Sequence, residues 1–292
     1  MDFLFSQLVS GLASGAIYAC LALAVVMIYQ AIHHLNFAQG EMAMFSTYIA
    51  WQLIAWGIPY WGAFVLAIAI SFAGGWLLER TVMRPIHDAP VLTHIIIFIA
   101  LFTMFNSLAG WIWGFTIKSF PSPFGEGPLF AGSRIGKHQM GMIVVMTVVL
   151  LIIWAFFKFT RVGLAMRAAA ANPESAALVG ISVGTMTALG WGMASAVGTV
   201  AGTMIAPIVF LEPNMMLSIL VYAFAGAVLG GLTSPGGAVL GGLIVGVIEA
   251  LAGSYIPVVG SELKLPIALA LIIVVLLVQP AGIFGRRTVE RL

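Results

Sequence analysis

Gln139-Met-Gly-Met-Ile-Val-Val-Met-Thr-Val-Val-Leu-Leu-Ile-Ile-Trp-Ala-Phe-Phe157 runs for nineteen residues without a charge. A helix needs about 20 apolar residues to cross the hydrocarbon core of a bilayer, and only helices and closed barrels satisfy their backbone polar groups there. Barrel strands are about ten residues long and alternate polar with apolar side chains. This stretch is too long and too uniformly apolar for one, so it reads as a membrane-spanning helix. Similar runs recur near 7–29, 36–56, 61–78, 91–113, 183–210, 217–232, 237–256 and 266–280. The predicted fold is therefore all-α, a polytopic membrane helical bundle of about eight to ten transmembrane helices. Two of the runs leave that number open. Gln30 to Glu41 is too polar to sit in lipid unprotected, and 217–232 and 237–256 are separated by Ser234-Pro-Gly-Gly237, which suits a broken or re-entrant segment.

Composition agrees. Of 292 residues, 62% are hydrophobic and 8% charged, against about 25% charged in an ordinary soluble domain. With a mean hydropathy of +1.11, the chain cannot cover a water-facing surface. That excludes a soluble enzyme, a disordered protein and a nucleic-acid binder, for which a net charge of +2 is also too small. A single cysteine, Cys20, excludes an internal disulfide and a cysteine cluster for zinc or iron–sulfur.

Orientation follows from the basic residues. With nine spans, Arg80, Arg84, Lys158, Arg161, Arg167, Arg286, Arg287 and Arg291 fall on one side, and Lys118, Arg134, Lys137 and Lys264 on the other. The richer side is expected in the cytoplasm, which puts the N-terminus outside and the C-terminus inside. Met1-Asp2-Phe3 offers no basic n-region, so no cleaved signal peptide is expected. The largest outer loop is 114–138 and the largest inner loop 159–182. Residues 1–292 are expected to form a single transmembrane domain.

Several chemistries are missing. A P-loop ends in Gly-Lys-Ser/Thr; the one Gly-Lys pair, Gly136-Lys137, is followed by His138. ATP hydrolysis by that route is not expected, and neither is a resident cofactor or metal site. Gly180-Ile-Ser-Val-Gly184 matches the Gly-x-Ser-x-Gly hydrolase pattern, but no His or Asp follows residue 138 to complete a triad. Adjacent His33 and His34 point to different sides of a helix and make a poor metal pair; an interfacial polar cap is the plainer account.

Leu35-Asn-Phe-Ala-Gln-Gly-Glu41 is the most polar part of the first 75 residues. At about 100° per residue, Glu41, Phe45, Tyr48 and Gln52 share one helix face, and Asn36, Gly40, Ala43 and Thr47 form a second face of small residues. Ionisable groups at membrane depth face a bundle interior or a wet cavity. Asn36, Gln39, Glu41 and Tyr48 are therefore expected to line a pathway or gate, to clamp helices together, or to cap a helix at the cytoplasmic face. Gly-x-x-x-Gly spacings at 198/202, 226/230, 237/241 and 242/246 point to close helix packing. Glu249 lies near the Gly242/Gly246 face, so it either meets a buried donor or faces a cavity. Gly230-Gly231 through Pro235-Gly236-Gly237 is a helix stop, turn and restart.

Within 161–181, Asn172 is a good N-cap, Pro173 suits the first helical position, Glu174 complements the helix dipole and Gly180 suits the C-terminal cap. This predicts a short helix at 173–179 outside the membrane. Its Ala176, Ala177, Leu178 and Val179 want either a partner groove or the lipid interface.

Taken in order, these motifs resemble the permease subunits of branched-chain amino-acid type ABC importers. The resemblance is carried by Leu35-Asn-Phe-Ala-Gln-Gly-Glu41, by Glu79-Arg80 with Arg84-Pro85, and by Gly163-x-Ala-x-Arg167-Ala168 running to Gly180-Ile181. It continues through Ala225 to Gly237, then Glu249 and Pro280-x-Gly-Ile283, and so covers nearly the whole chain. Gln39 stands where much of the family carries His, so no proton-sensitive role transfers to it. The resemblance implies a permease in a bacterial inner membrane, working by alternating access with two ABC ATPase subunits that bind ATP and Mg. It also implies a second related permease and a periplasmic or lipid-anchored substrate-binding protein. The substrate would be a branched-chain or other amino acid, or a small amide such as urea. The 173–179 helix becomes the ATPase-coupling helix, with Gly163, Arg167, Ala168, Asn172, Pro173, Glu174, Ala177 and Gly180 around it. A channel for small neutral solutes and an ion-coupled secondary transporter using Glu41 and Glu249 are the competing readings. The first gives no reason for a capped cytoplasmic helix, and the second leads one to expect inverted repeats.

Overall fold

The computed structural model describes residues 2–32, 34–125, 127–129, 135–256 and 263–285. His33, Arg134, Arg286, Arg287 and Arg291 lie outside the described residues. The helices are α1 (Asp2–Ile32), α2 (Gln39–Ala55), α3 (Tyr60–Leu78), α4 (Val91–Trp113), α5 (Lys137–Phe159) and α6 (Arg161–Ala171). They continue with α7 (Pro173–Leu178), α8 (Val183–Val209), α9 (Leu217–Gly230), α10 (Pro235–Tyr255) and α11 (Lys264–Val278). Among the described residues there is no strand, only two isolated bridges.

Among the described residues, six helices are long and apolar enough to cross a membrane: α1, α3 with its continuation to Ile86, α4, α5, α8 and α10. The other three expected spans form as the shorter helices α2, α9 and α11, of 17, 14 and 15 residues. At 1.5 Å per residue these rise only about 20–25 Å, short of a core of about 30 Å. Hydropathy marks the apolar run but not where its helix starts. The polar residues before Gln39 and the glycine turn after Gly230 cut α2 and α9 short.

Helix exposure sorts by neighbour. The spanning windows of α1 and α8 are 89% and 72% buried, whereas those of α4 and α5 are each 22% buried and present Ile96, Ile99, Leu151 and Ile152 outward. In lipid that surface needs no polar cover.

The described chain divides into two compact units. In the first, residues 1–26, 124–144 and 217–292, glycines set the packing. A Cβ added to Gly15 would stand 3.0 Å from Leu243 Cα, and one on Gly226 would stand 2.6 Å from Gly242 Cα. Backbones this close leave no room for a methyl group, which is the purpose the Gly-x-x-x-Gly spacings predict. The turn after α9 also forms as expected. Gly231 takes φ +105, Ser234 caps α10 by accepting from Gly237 N at 3.1 Å, and Pro235 occupies the first turn. Chain end and turn are joined, with Ile283 N donating to Leu229 O at 2.9 Å and Phe284 N to Gly230 O at 3.0 Å.

The second unit, residues 27–123 and 145–216, is built on α3 packed along α8, with α2 against both. Ser46 Oγ meets Ser71 Oγ at 2.8 Å, and Ser71 Oγ donates to Ser195 O at 3.0 Å. Past Leu78, α3 loosens into a π-turn, Glu79–Met83, then a 3₁₀ turn, Arg84–Ile86. The wider turn brings residues five apart onto one side. Glu79 and Arg84 pair at 3.0 Å, and Arg84 Nη2 donates to Gly184 O at 2.7 Å.

Candidate functional site

The 159–182 segment carries more structure than one short helix. Its Ala-rich start forms α6, capped by Thr160, whose hydroxyl accepts from Gly163 N at 2.9 Å. Gly163 lets α6 fold closely onto the end of α5, since a Cβ there would stand 2.7 Å from Phe157 Cα. The alanine run 168–171 has the highest helix propensity of any residue type, a signal available in the sequence that the loop reading passed over.

α7 follows at once, one residue shorter than expected. Asn172 Oδ1 accepts from Ser175 N at 2.9 Å, Pro173 opens the helix, and Gly180 takes φ +85 just beyond it. Ala176 is buried, and α7 touches α6 and α8. Glu174 and Ala177 are exposed, and Leu178 and Val179 are 88% and 76% exposed. Arg167 is exposed and, with Pro173, borders a crevice shared with His87, Met166, Met186 and Thr187.

The polar residues of the stripe near residue 36 are buried, with Asn36, Gln39 and Tyr48 0% exposed and Glu41 1%, while Phe37 between them is exposed. Its two faces meet different helices. Toward α4, Asn106 Nδ2 donates to Glu41 at 3.3 Å, Phe45 meets Phe105, Tyr48 stacks on Trp113 at 5.0 Å, and Trp113 Nε1 donates to Gln52 at 2.9 Å. Toward α8, Gln39 Nε2 donates to Ala194 O at 3.0 Å, and Gly198 and Gly202 admit Ala43 and Thr47. Among the described residues Glu41 has no ion pair.

The chain before α2 is unwound. His34 stacks on His94 at 4.7 Å, near the start of α4, while Glu41 reaches Asn106, twelve residues and about 18 Å further along that helix. Seven residues climb that height, at roughly 2.6 Å each against 1.5 Å in a helix. Irregular backbone at membrane depth is tolerated only where protein buries it or a cavity accompanies it. Asn36 supplies part of that cover by accepting from Ala38 N at 3.0 Å.

Past α8 the chain turns at Phe210, a non-glycine residue at φ 65, so that Leu211 pairs with Lys118 through two 2.9 Å hydrogen bonds. This turn presents Pro213 and Asn214 to Asn106, whose amide also donates to Pro213 O at 3.0 Å and Asn214 Oδ1 at 3.1 Å. Neither Asn106 nor Asn214 belongs to a motif in the sequence; Asn106 lies in a largely apolar run, and Asn214 follows Glu212-Pro213.

Glu249 belongs to a separate cluster in the first unit. Tyr18 Oη donates to it at 2.6 Å, Lys264 stands 3.5 Å away, and Tyr18 stacks on Tyr222 at 4.9 Å. A small pocket adjoins Glu249, Lys264 and Tyr222. Both sequence-level options hold, a buried donor and an adjoining cavity. Among the described residues no group of three His, Cys, Asp or Glu side chains is placed to hold a metal.

Comparison with known proteins agrees with this architecture. The family model described as branched-chain amino acid transport system / permease component matches residues 7–276. The high-affinity branched-chain amino acid transport system permease protein LivH of Escherichia coli K12 is 32% identical over 311 residues, covering 99% of this chain and 98% of the relative. BraD of Pseudomonas aeruginosa, a permease protein of the same description, is 32% identical over 301 residues, covering 98% and 97%. A probable LivH of Methanocaldococcus jannaschii is 28% identical, covering 91% and 87%. A solved structure, PsaBC from Streptococcus pneumoniae in complex with Fab, shares the fold with a TM-score of 0.51 at 14% identity, over 96% of this chain and 93% of that one. With its helical membrane bundle and a family match along most of its length, the chain belongs to the branched-chain amino-acid ABC transporter permease family.

Proposed function

We propose that this chain is the membrane-spanning subunit of an ABC importer, moving branched-chain or other amino acids, or a small amide such as urea, by alternating access. ATP and Mg would bind two partner ATPases. A second related permease would complete the pore, and a periplasmic or lipid-anchored binding protein would deliver substrate. The basic residues Arg80, Arg84, Lys158, Arg161 and Arg167 favour a cytoplasmic face for α6 and α7, an outer N-terminus and an inner C-terminus, in a bacterial inner membrane.

The observation that carries the reading is α7. A capped helix of six residues buries Ala176 on its own protein and leaves Leu178 and Val179 uncovered. A short helix with a small apolar face fits a groove on another chain. Because α7 touches α8, and α8 packs along α3 and α2, a push on α7 is delivered to the helix that holds the polar stripe. Asn36, Gln39, Glu41, Tyr48 and Glu249 are the pathway candidates.

The test is reconstitution in liposomes with the companion ATPases, permease and binding protein. Uptake should require ATP. Replacing Glu174 and Ala177 with arginine should uncouple hydrolysis from uptake while the bundle still folds. Full-rate uptake by this chain alone without ATP, or normal coupling in the double variant, would reject the reading.

A further inference from the structure

The hydrogen-bond inventory around Glu41 does not close. Asn106 has two amide hydrogens and three acceptors within reach: the Glu41 carboxylate at 3.3 Å, Pro213 O at 3.0 Å and Asn214 Oδ1 at 3.1 Å. Two hydrogens cannot serve three acceptors at full strength. On the same face of α2, two turns on, the buried Tyr48 hydroxyl has no hydrogen-bond partner among the described residues, and Glu212 lies within its electrostatic range. The site is thus rich in acceptors and carboxyl groups and poor in donors. It is walled by the aromatic rings of Phe45, Tyr48 and Trp113. It also grades from buried Glu41 through half-buried Asn106 to exposed Asn214, which gives a polar route inward.

We infer that Glu41, Asn106, Asn214 and the Pro213 carbonyl form a transient binding site for the primary ammonium group of the transported amino acid. An R–NH₃⁺ brings three donors and one positive charge to a cluster short of both, and aromatic faces beside a cation add attraction. The unwound chain before α2 fits this role, since irregular backbone at membrane depth goes with a cavity or pathway. The inference rests on the proposed amino-acid substrate and names the contact made with it.

The experiment uses the complete transporter in liposomes, with L-leucine uptake and binding-protein-stimulated ATP hydrolysis measured together. Glu41→Gln keeps the shape and still accepts from Asn106, so a purely structural role predicts normal uptake. The ammonium role predicts uptake lowered about tenfold or more, from the loss of a charged hydrogen bond, with stimulated hydrolysis retained and partial recovery in Glu41→Asp. Asn214→Ala guards against a folding failure at Glu41. It removes one acceptor of the proposed site from an exposed position, so thermal stability should hold while uptake falls. Uptake within twofold of the parent in either folded variant overturns the proposal. So does a requirement of uptake for sodium, which would make the cluster a metal-cation site. Failure of the parental transporter to carry leucine at all would overturn the amino-acid reading itself, and this inference with it.

Discussion

Removing the Asn172 side chain separates the helix from the residues it displays. Asn172 Oδ1 accepts from Ser175 N at 2.9 Å, and that bond is the side-chain cap of a helix only six residues long. So short a helix lies far below the length at which an isolated helix holds itself, so its cap and its contacts with α6 and α8 maintain it. Replacing a capping Asn with Ala costs about 1 kcal/mol, or roughly a fivefold loss in the ratio of formed to frayed helix. If partner binding needs the formed helix, the apparent affinity falls with the fraction formed, by at most that factor and by all of it only where the free helix is mostly frayed. The assay titrates purified ATPase subunits onto the permease complex in nanodiscs and reads stimulated hydrolysis. Asn172→Ala should raise the half-saturating concentration, by as much as about fivefold, whereas Asn172→Ser and Asn172→Asp, which cap equally well, should leave it unchanged. Asn172 is exposed, so the melting temperature of the bundle should not move. Equal behaviour of Ala and Ser would refute the argument, because it would show that capping does not limit docking.

Two further outcomes follow from packing. Gly226→Leu would force a side chain into the Gly242 backbone, 2.6 Å from the position of its first carbon, and should abolish the monodisperse peak in fluorescence-detected size exclusion; Gly236→Ala, with nothing within 4 Å, should leave it intact. Tyr18→Phe strips Glu249 of its 2.6 Å donor. Loss of a hydrogen bond to a charged group should cost about 2 kcal/mol, seen as a lower melting temperature, with transport per folded molecule unchanged if Glu249 serves packing rather than the pathway.

Sequence alone determined the features whose causes are local. Uniform apolar runs such as 139–157 fix a helix in lipid because the backbone has no other way to satisfy itself there. Asn172-Pro173 with Gly180, and Gly231 with Ser234-Pro235, set α7 and the α9–α10 turn within a few residues of the chain, and the structure forms both. Helix periodicity also separated the two faces of α2 from Gln39 onward, whereas Asn36, expected on the second face, lies in the unwound stretch before the helix.

Which helix each face meets was decided only by the tertiary structure. In a soluble protein an apolar stripe points to the core, but a chain surrounded by lipid is apolar on its outer faces as well, so the pattern names no partner. Glu41 finds Asn106, 65 residues on, and Glu249 finds Tyr18, 231 residues back. The unwound stretch before α2 is likewise invisible to hydropathy, because its depth is defined by His94 and Asn106 on another helix. Burying a polar group stays costly until a partner is brought to it. The sequence shows that Glu41 and Glu249 need partners, and only the packed bundle supplies them.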